Sequence, residues 1–323
     1  MNLQDIYLNL KKDLEIVEQA LARSVEADVA VLRDASLHLL KSGGKRMRPV
    51  FVLLSGHFGR YEVERLCRAA VALEMIHMAT LVHDDVIDDA DTRRGRKTVK
   101  AEWDNRVAMY AGDWLFARAL RELADLGDHR VQVILAEAMR LMCLGEIEQI
   151  EDLYAERLSL RRYLRRIKRK TALLMSISCH LGALVAGASE EHIRLLRAYG
   201  YYVGMAFQLT DDVLDLTGDE RILGKPAGSD LKQGNVTLPV LHVLHTGTAD
   251  HRQKILDFLR SQGMADNLGE VLDIVRGGGG VEATLELSRR YLNKAIDCLN
   301  RLPDSHQRES LRLIAEFIVR RNY

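Results

Sequence analysis

The sequence predicts an all-α fold, a single large helical bundle, and three observations predict it. Apolar residues recur at intervals of three and four rather than in strict alternation, which is the period of one helix face. Only four prolines occur in 323 residues, at positions 49, 226, 239 and 303, so long stretches run without a helix breaker. The segment VERLCRAAVALEMIHMATLVHDDVIDDA sets Leu66, Ala69, Ala70, Leu73, Ile76, His77, Thr80 and Asp84 close to one face of a helix. That helix is long for a globular protein and suits the wall of a large bundle.

From the N-terminus, MNLQDIYLNLKKDLEIVEQAL has a helical apolar rhythm with early acids and lacks the basic, apolar, small-residue order of a signal peptide. Breaks follow at KSGGKRMRP (41 to 49), DTRRGRKT (91 to 98), LTGDERILGKPAGSDLKQGNVTLP (216 to 239) and GGGG (277 to 280). The last reads as a flexible connector between helices. The 216 to 239 stretch exceeds the usual connection, and loops of such length inside a compact domain are commonly functional. With no Pro/Ser-rich linker and no repeat of fixed period, residues 1–323 read as one domain.

Lys plus Arg and Asp plus Glu each total 46, so no net field points to nucleic acid as a partner, and any electrostatic function is local. Cys67, Cys143, Cys179 and Cys298 show no CxxC spacing and read as buried thiols in a reducing compartment. No uninterrupted apolar run reaches the roughly 18 residues of a membrane span, and a cytoplasmic location is expected.

The chemistry concentrates in two acidic clusters. LVHDDVIDDADTRRG carries Asp84, Asp85, Asp88, Asp89 and Asp91, followed at once by Arg93 and Arg94. Asp84 and Asp88 are four apart and share a helix face, where two carboxylates about 6 Å apart repel by roughly 3 kcal/mol at an effective dielectric near 20. GMAFQLTDDVLDLTGD repeats the arrangement with Asp211, Asp212 and Asp215. One such motif is often a solvated acidic patch; two, each preceded by an apolar stretch, point to a site. Oxygen-only ligands at this density suit Mg²⁺, which shares its coordination with water and phosphate, so a phosphorylated substrate is expected.

A diphosphate also requires cations near glycine or loop signals. GGKRMRP offers Lys45, Arg46 and Arg48, of which Arg46 reads as a surface charge. DTRRG offers Arg93 and Arg94, KRKTALL offers Lys170 with the Thr171 hydroxyl, and LGKPAGSD offers Lys225. The run RRYLRRIKRK (161 to 170) has seven basic residues in ten and reads equally as a solvated helix face or a peripheral contact with anionic lipid. His77 lies two turns before Asp84 on nearly the same face.

Taken together, GGKRMRP, HDDVIDDADTRRG, Gly112–Asp113, KTA, FQLTDDVLD and GKPAGSDLKQGNVTLP occur in the order of the trans-isoprenyl diphosphate synthases, or polyprenyl synthetases. The chain resembles that family over nearly its whole length. Within it the likeness is greatest to the catalytic component of the two-component bacterial heptaprenyl synthases, and less to homodimeric octaprenyl and solanesyl synthases.

The resemblance implies a bundle around a deep central cavity and Mg²⁺-dependent elongation of an allylic diphosphate, such as farnesyl diphosphate, with isopentenyl diphosphate. The product would be a long all-trans polyprenyl diphosphate, heptaprenyl in first place, for a quinone side chain such as that of menaquinone. It further implies Asp84, Asp88, Asp211 and Asp215 as metal ligands, with Lys170 and Lys225 beside them in the catalytic set. Arg93, Lys170, Thr171, Gln208 and Lys225 would contact the allylic diphosphate, and Lys45, Arg48, His77 and Arg94 the isopentenyl diphosphate. Asn235 stands where short-chain members often carry a further lysine. Farnesyl-making members place an aromatic four or five residues before the first motif; Ala79 and Thr80 stand there, with Ile76 and then Leu73 or Ala72 deeper, which implies a longer product. Partners implied are a smaller non-catalytic subunit or a second copy of the chain.

Three rivals fit less well. A class I terpene cyclase or head-to-head condensing enzyme needs no GGKRMRP cradle. A metal phosphohydrolase built on His83 and Asp84 needs further histidines and leaves Asp85 and Asp88 unexplained. A non-catalytic subunit of a prenyl synthase would be expected to have lost acids, and none is missing.

Overall fold

The structure is a computed structural model that describes residues 3–93, 95–218 and 226–320. Among them every regular element is helical except one two-stranded antiparallel ladder, Thr92–Arg93 with Arg96–Lys97, so the all-α expectation holds. The chain divides into two compact units. One comprises Met1–Ala136, Ile177–Arg197 and Leu302–Leu313; the other comprises Glu137–Ser176, Ala198–Arg301 and Ile314–Tyr323.

The first unit is organised around Val63–Ile87, whose interior positions from Ala69 to Ile76 are buried on every side. A helix apolar all round has to be enclosed. Its enclosing neighbours are Lys11–Ser24, Met47–Gly56 and Asn105–Ala124. Two glycines permit the close crossings: a Cβ on Gly56 would stand 2.5 Å from Leu66, and one on Gly112 would stand 2.2 Å from the His83 ring. Side-chain caps start the adjoining helices, with Asp104 accepting from the Val107 N–H at 2.7 Å and Thr98 from the Ala101 N–H at 3.3 Å. By length and composition Val63–Ile87 could cross a bilayer, with mean hydropathy 1.3, although Arg68 and Glu74 interrupt its apolar run. Because 72% of that window is buried inside the fold, it is a core helix.

The second unit has its own core, in which Tyr163, Ile167, Met205, Leu209, Leu216, Val240 and Phe258 pack together. The glycine run at 277 to 280 differs from expectation. It joins Leu268–Gly277 to Gly280–Asn300 through a tight turn in which Gly279 adopts φ +79° and a Cβ on Gly280 would stand 2.3 Å from the Pro239 carbonyl oxygen. Close packing, rather than flexibility, is what these glycines supply. The thiol expectation also needs correction, since Cys67 and Cys179 are buried but Cys143 is exposed and Cys298 intermediate.

His180 in the first unit is held neutral. Burial pushes its pKa down to about 4, with Arg197 and Arg130 adding to the effect. Between the ordinary value near 6.5 and that value the unfolded chain takes up a proton the folded chain refuses. Stability from this group is therefore complete above about pH 6.5 and is lost as the pH falls toward 4, up to about 3 kcal/mol in all. Denaturation midpoints measured from pH 7 to 5 should fall more steeply for the parent chain than for His180→Asn.

Candidate active site

The first acidic motif terminates Val63–Ile87. Asp84 lies in the last turn, and Asp88 caps the end, its N–H bonded to the Asp84 carbonyl at 2.8 Å. Carboxylates at the negative end of a helix dipole are unfavourable by themselves and favour a cation. Arg93 and Lys100 between them meet Asp85, Asp89 and Asp91. Asp85 is 2% exposed and accepts from Arg93 at 2.8 Å. Lys100 pairs with Asp89 and, at 3.4 Å, with Asp91. Burial raises the Asp85 pKa even against Arg93. Half-buried Asp84 and exposed Asp88 keep the four-residue spacing along the helix surface. Arg93, expected on a diphosphate, has its guanidinium on Asp85. Arg94 lies outside the described residues, as does Lys225.

The second motif lies within the last two turns of Glu190–Thr217. Asp211 is half-buried, while Asp212 is 2% and Asp215 3% exposed. The Tyr163 hydroxyl and, at 2.8 Å, the Gln208 amide both donate to Asp212. Burial pushes this carboxyl up to about 7 against those two donors. Asp215 accepts the Asp230 N–H at 3.2 Å, and its own carbonyl accepts the Gly228 N–H at 2.7 Å, so it also anchors the chain after the loop. The helix end is closed by Arg276, which donates to the Leu216 carbonyl at 2.8 and 2.6 Å.

Lys170 and Thr171 sit on an interruption in helical regularity. Leu160–Ile167 passes into a π-helical turn, Lys168–Ala172, and then into Leu173–Val185. Such turns are rare and frequent at functional sites. Two glycines hold this one: a Cβ on Gly204 would meet the Ala172 Cα at 2.5 Å, and one on Gly145 the Arg169 Cβ at 2.7 Å. Thr171 donates to the Gln208 side-chain oxygen at 2.6 Å, so two residues expected at the allylic diphosphate are joined directly. Lys170 reaches Glu146 at 3.0 Å. The basic run is thus no bare cationic face. Arg162 pairs with Glu151 and Asp152, Arg166 with Asp152, and Arg165 and Arg169 with Glu148.

At GGKRMRP, Lys45 is exposed and Arg48 half-buried on the first turn of Met47–Gly56. Arg46 departs from its expected role as a surface charge. It adopts φ 47°, its side chain is 13% exposed, and it pairs with Glu18 and, at 3.0 Å, with Glu74. Glu74 is 3% exposed and stands three residues before His77 on the same helix. Arg46 therefore ties the turn bearing Lys45 and Arg48 to the helix bearing His77. Tyr7 adds a second tie, its hydroxyl donating to the Lys45 carbonyl. Of the residues expected to set chain length, Ile76 and Ala79 are fully buried, whereas Thr80 is partly exposed and donates to the His77 carbonyl at 2.8 Å.

Among the described residues no three His, Cys, Asp or Glu side chains are already gathered around one point as a metal cluster. Each motif taken by itself nevertheless suits a hard divalent cation, offering carboxylate oxygen only in the C-terminal part of a helix.

Comparison with known proteins decides the family. Residues 29–275 match the family described as polyprenyl synthetase. The chain belongs to the polyprenyl synthetase family. As a member it is a prenyltransferase. It is 52% identical to heptaprenyl diphosphate synthase component 2 of Geobacillus stearothermophilus, with all of both chains covered. The crystal structure of heptaprenyl diphosphate synthase from Staphylococcus aureus superposes with a TM-score of 0.93 at 40% identity, covering 97% of this chain and 99% of that one. A polyprenyl synthase of Caulobacter crescentus CB15, complexed with calcium and isoprenyl diphosphate, does so with a TM-score of 0.93 at 32% identity, covering 99% and 98%.

Family membership removes the phosphohydrolase rival, and the geometry explains His83 without it: the ring packs on Gly112 and bonds the Met109 carbonyl at 3.1 Å. Sequence reasoning missed Glu74, Glu146 and Tyr163. Of these only Glu74 carries a signal, as the one charged residue in the otherwise apolar stretch from Ala69 to Ile76. The glycine contacts at the π turn are directly testable. Gly204→Ala should cost about 1 to 3 kcal/mol by forcing apart two packed backbones, read as a lowered midpoint in chemical denaturation.

Proposed function

We propose that this prenyltransferase elongates an allylic diphosphate with isopentenyl diphosphate to heptaprenyl diphosphate, a quinone side-chain precursor, and uses Mg²⁺ to do so. The observation that carries the reading is the pair of aspartate motifs, each ending a helix and each with its second carboxylate buried and held. Residues 1–323 act as one catalytic domain.

In this reading Asp84 and Asp88 in the first motif and Asp211 and Asp215 in the second hold the metal. Bound there, it supplies positive charge and Lewis acidity to the departing diphosphate. Lys170, Lys225, Arg93, Thr171 and Gln208 orient the allylic diphosphate, so that ionisation leaves its charge on groups already in place. Lys45, Arg48, His77 and Arg94 hold isopentenyl diphosphate with its double bond toward the allylic carbon. The new carbon–carbon bond forms there, and the proton lost from the adjoining carbon passes to the released diphosphate. No side-chain nucleophile is required.

Product length follows from the small side chains before the first motif. Ala79 and Thr80 place no bulky side chain about one turn before the first motif, so elongation continues past farnesyl. The relative's designation as component 2 supports a smaller partner subunit for this chain as well, acting in the cytoplasm.

The test is incorporation of radiolabelled isopentenyl diphosphate onto farnesyl diphosphate, by the chain alone and with a candidate small subunit, followed by chromatography of the dephosphorylated product. A C35 alcohol is expected with Mg²⁺ and none after chelation. A C40 product from the chain alone would replace this reading with a homodimeric octaprenyl enzyme. Asp84→Ala should lower turnover by at least about a hundredfold with helicity by circular dichroism unchanged. Thr80→Tyr, at a partly exposed wall position, should shift the product mixture toward shorter chains.

A further inference from the structure

We propose that Tyr163, the aromatic within the basic run from 161 to 170, is a positioning residue for the turn that meets the allylic diphosphate. Its hydroxyl holds Asp212, Asp212 holds the Gln208 amide, and that amide holds the Thr171 hydroxyl. The inference rests on the prenyltransferase reading and deepens it.

The geometry is a series of hydrogen bonds running from the interior to the π turn. Tyr163 is 0% exposed and donates to Asp212 Oδ2. Asp212 Oδ1 accepts Gln208 Nε2 at 2.8 Å, and Gln208 Oε1 accepts Thr171 Oγ1 at 2.6 Å. Gln208 and Thr171 are both partly exposed, so the series does not end inside the core. A network serving packing alone would have no need to reach the surface.

The phenol is itself immobilised. The Arg166 guanidinium lies 5.7 Å from its ring centroid, and Arg166 is 5% exposed and donates to the Val236 carbonyl at 2.7 Å. Tyr163 belongs to the regular helix Leu160–Ile167 that runs into the π turn, so the anchor and the anchored hydroxyl are carried by one continuous stretch of chain. The series also orders the amide. With its nitrogen on Asp212, Gln208 presents oxygen to Thr171 and holds that hydroxyl in place until a diphosphate oxygen accepts its proton. Without the phenol, one oxygen of a buried carboxylate loses its donor and the orientation of Gln208 is no longer dictated.

Tyr163→Phe removes the hydroxyl and keeps the ring. It should raise KM for the allylic diphosphate roughly tenfold, the worth of one charge-assisted hydrogen bond, while kcat and the isopentenyl diphosphate KM change little. Calorimetry should show an unreactive allylic thiolodiphosphate binding more weakly by a similar factor. In a Thr171→Val background the same substitution should add nothing, because the series is already cut. Effects that multiply in the double variant, a joint shift for both substrates, or unaltered allylic binding would overturn the proposal. If Tyr163→Phe fails to fold, Asp212→Asn in the same Thr171→Val comparison reads the same coupling: no added effect supports the role of the series, and a multiplied one overturns it. No incorporation of isopentenyl units by the parent chain, either alone or with the small subunit, would instead overturn the elongation reading, and the calorimetric comparison would still decide the role of Tyr163.

Discussion

A carboxylate taken out of water needs donors brought to it, and both acidic motifs are built on that requirement. In each, the second aspartate of the pair points inward and is met by a donor from another segment: Arg93 for Asp85, Tyr163 for Asp212. Neither could be buried in this state without that partner. Because successive residues on a helix are turned by about 100°, fixing the second acid also fixes where the first and the fifth residues of each motif point. The direction of Asp84 and Asp88 is thus set by a contact that neither of them makes.

This constraint explains which parts of the site could be seen in the sequence. Helices were legible because burial imposes a period of three to four along the chain itself, and the acidic pairs because a shared face requires a spacing of four. Partners were not legible where folding joins distant positions. Arg46 looked like a surface charge, yet its two acids lie 28 residues to either side, at Glu18 and Glu74. Tyr163 is 49 residues from Asp212, and nothing local marks it. The π turn was hidden for another reason: it depends on Gly145 and Gly204, each on a separate helix and each unremarkable in its own segment.

The same logic revises the basic run from 161 to 170. Composition alone presents seven cations in ten residues, a pattern that suits a polyanionic surface. In the fold, Glu146, Glu148, Glu151 and Asp152 take five of them into pairs. Charge that is already matched contributes little long-range attraction, so the run serves to dock this segment and to place Lys170.

Lys170 shows how such matching remains compatible with binding. Its pair with Glu146 spans 3.0 Å, and both side chains are 29% exposed. Pairs with that much access to water are worth little, of the order of 1 kcal/mol or less. A diphosphate carries more charge than a single carboxylate and offers several acceptor oxygens, so it can displace Glu146 at small cost. Arg93 is placed differently. Its partner Asp85 is 2% exposed, and breaking that contact would leave a carboxylate buried without its donor, a loss of several kcal/mol. The two cations expected at one diphosphate therefore differ in kind: Lys170 can exchange its partner, whereas Arg93 can meet a substrate only while it still holds Asp85.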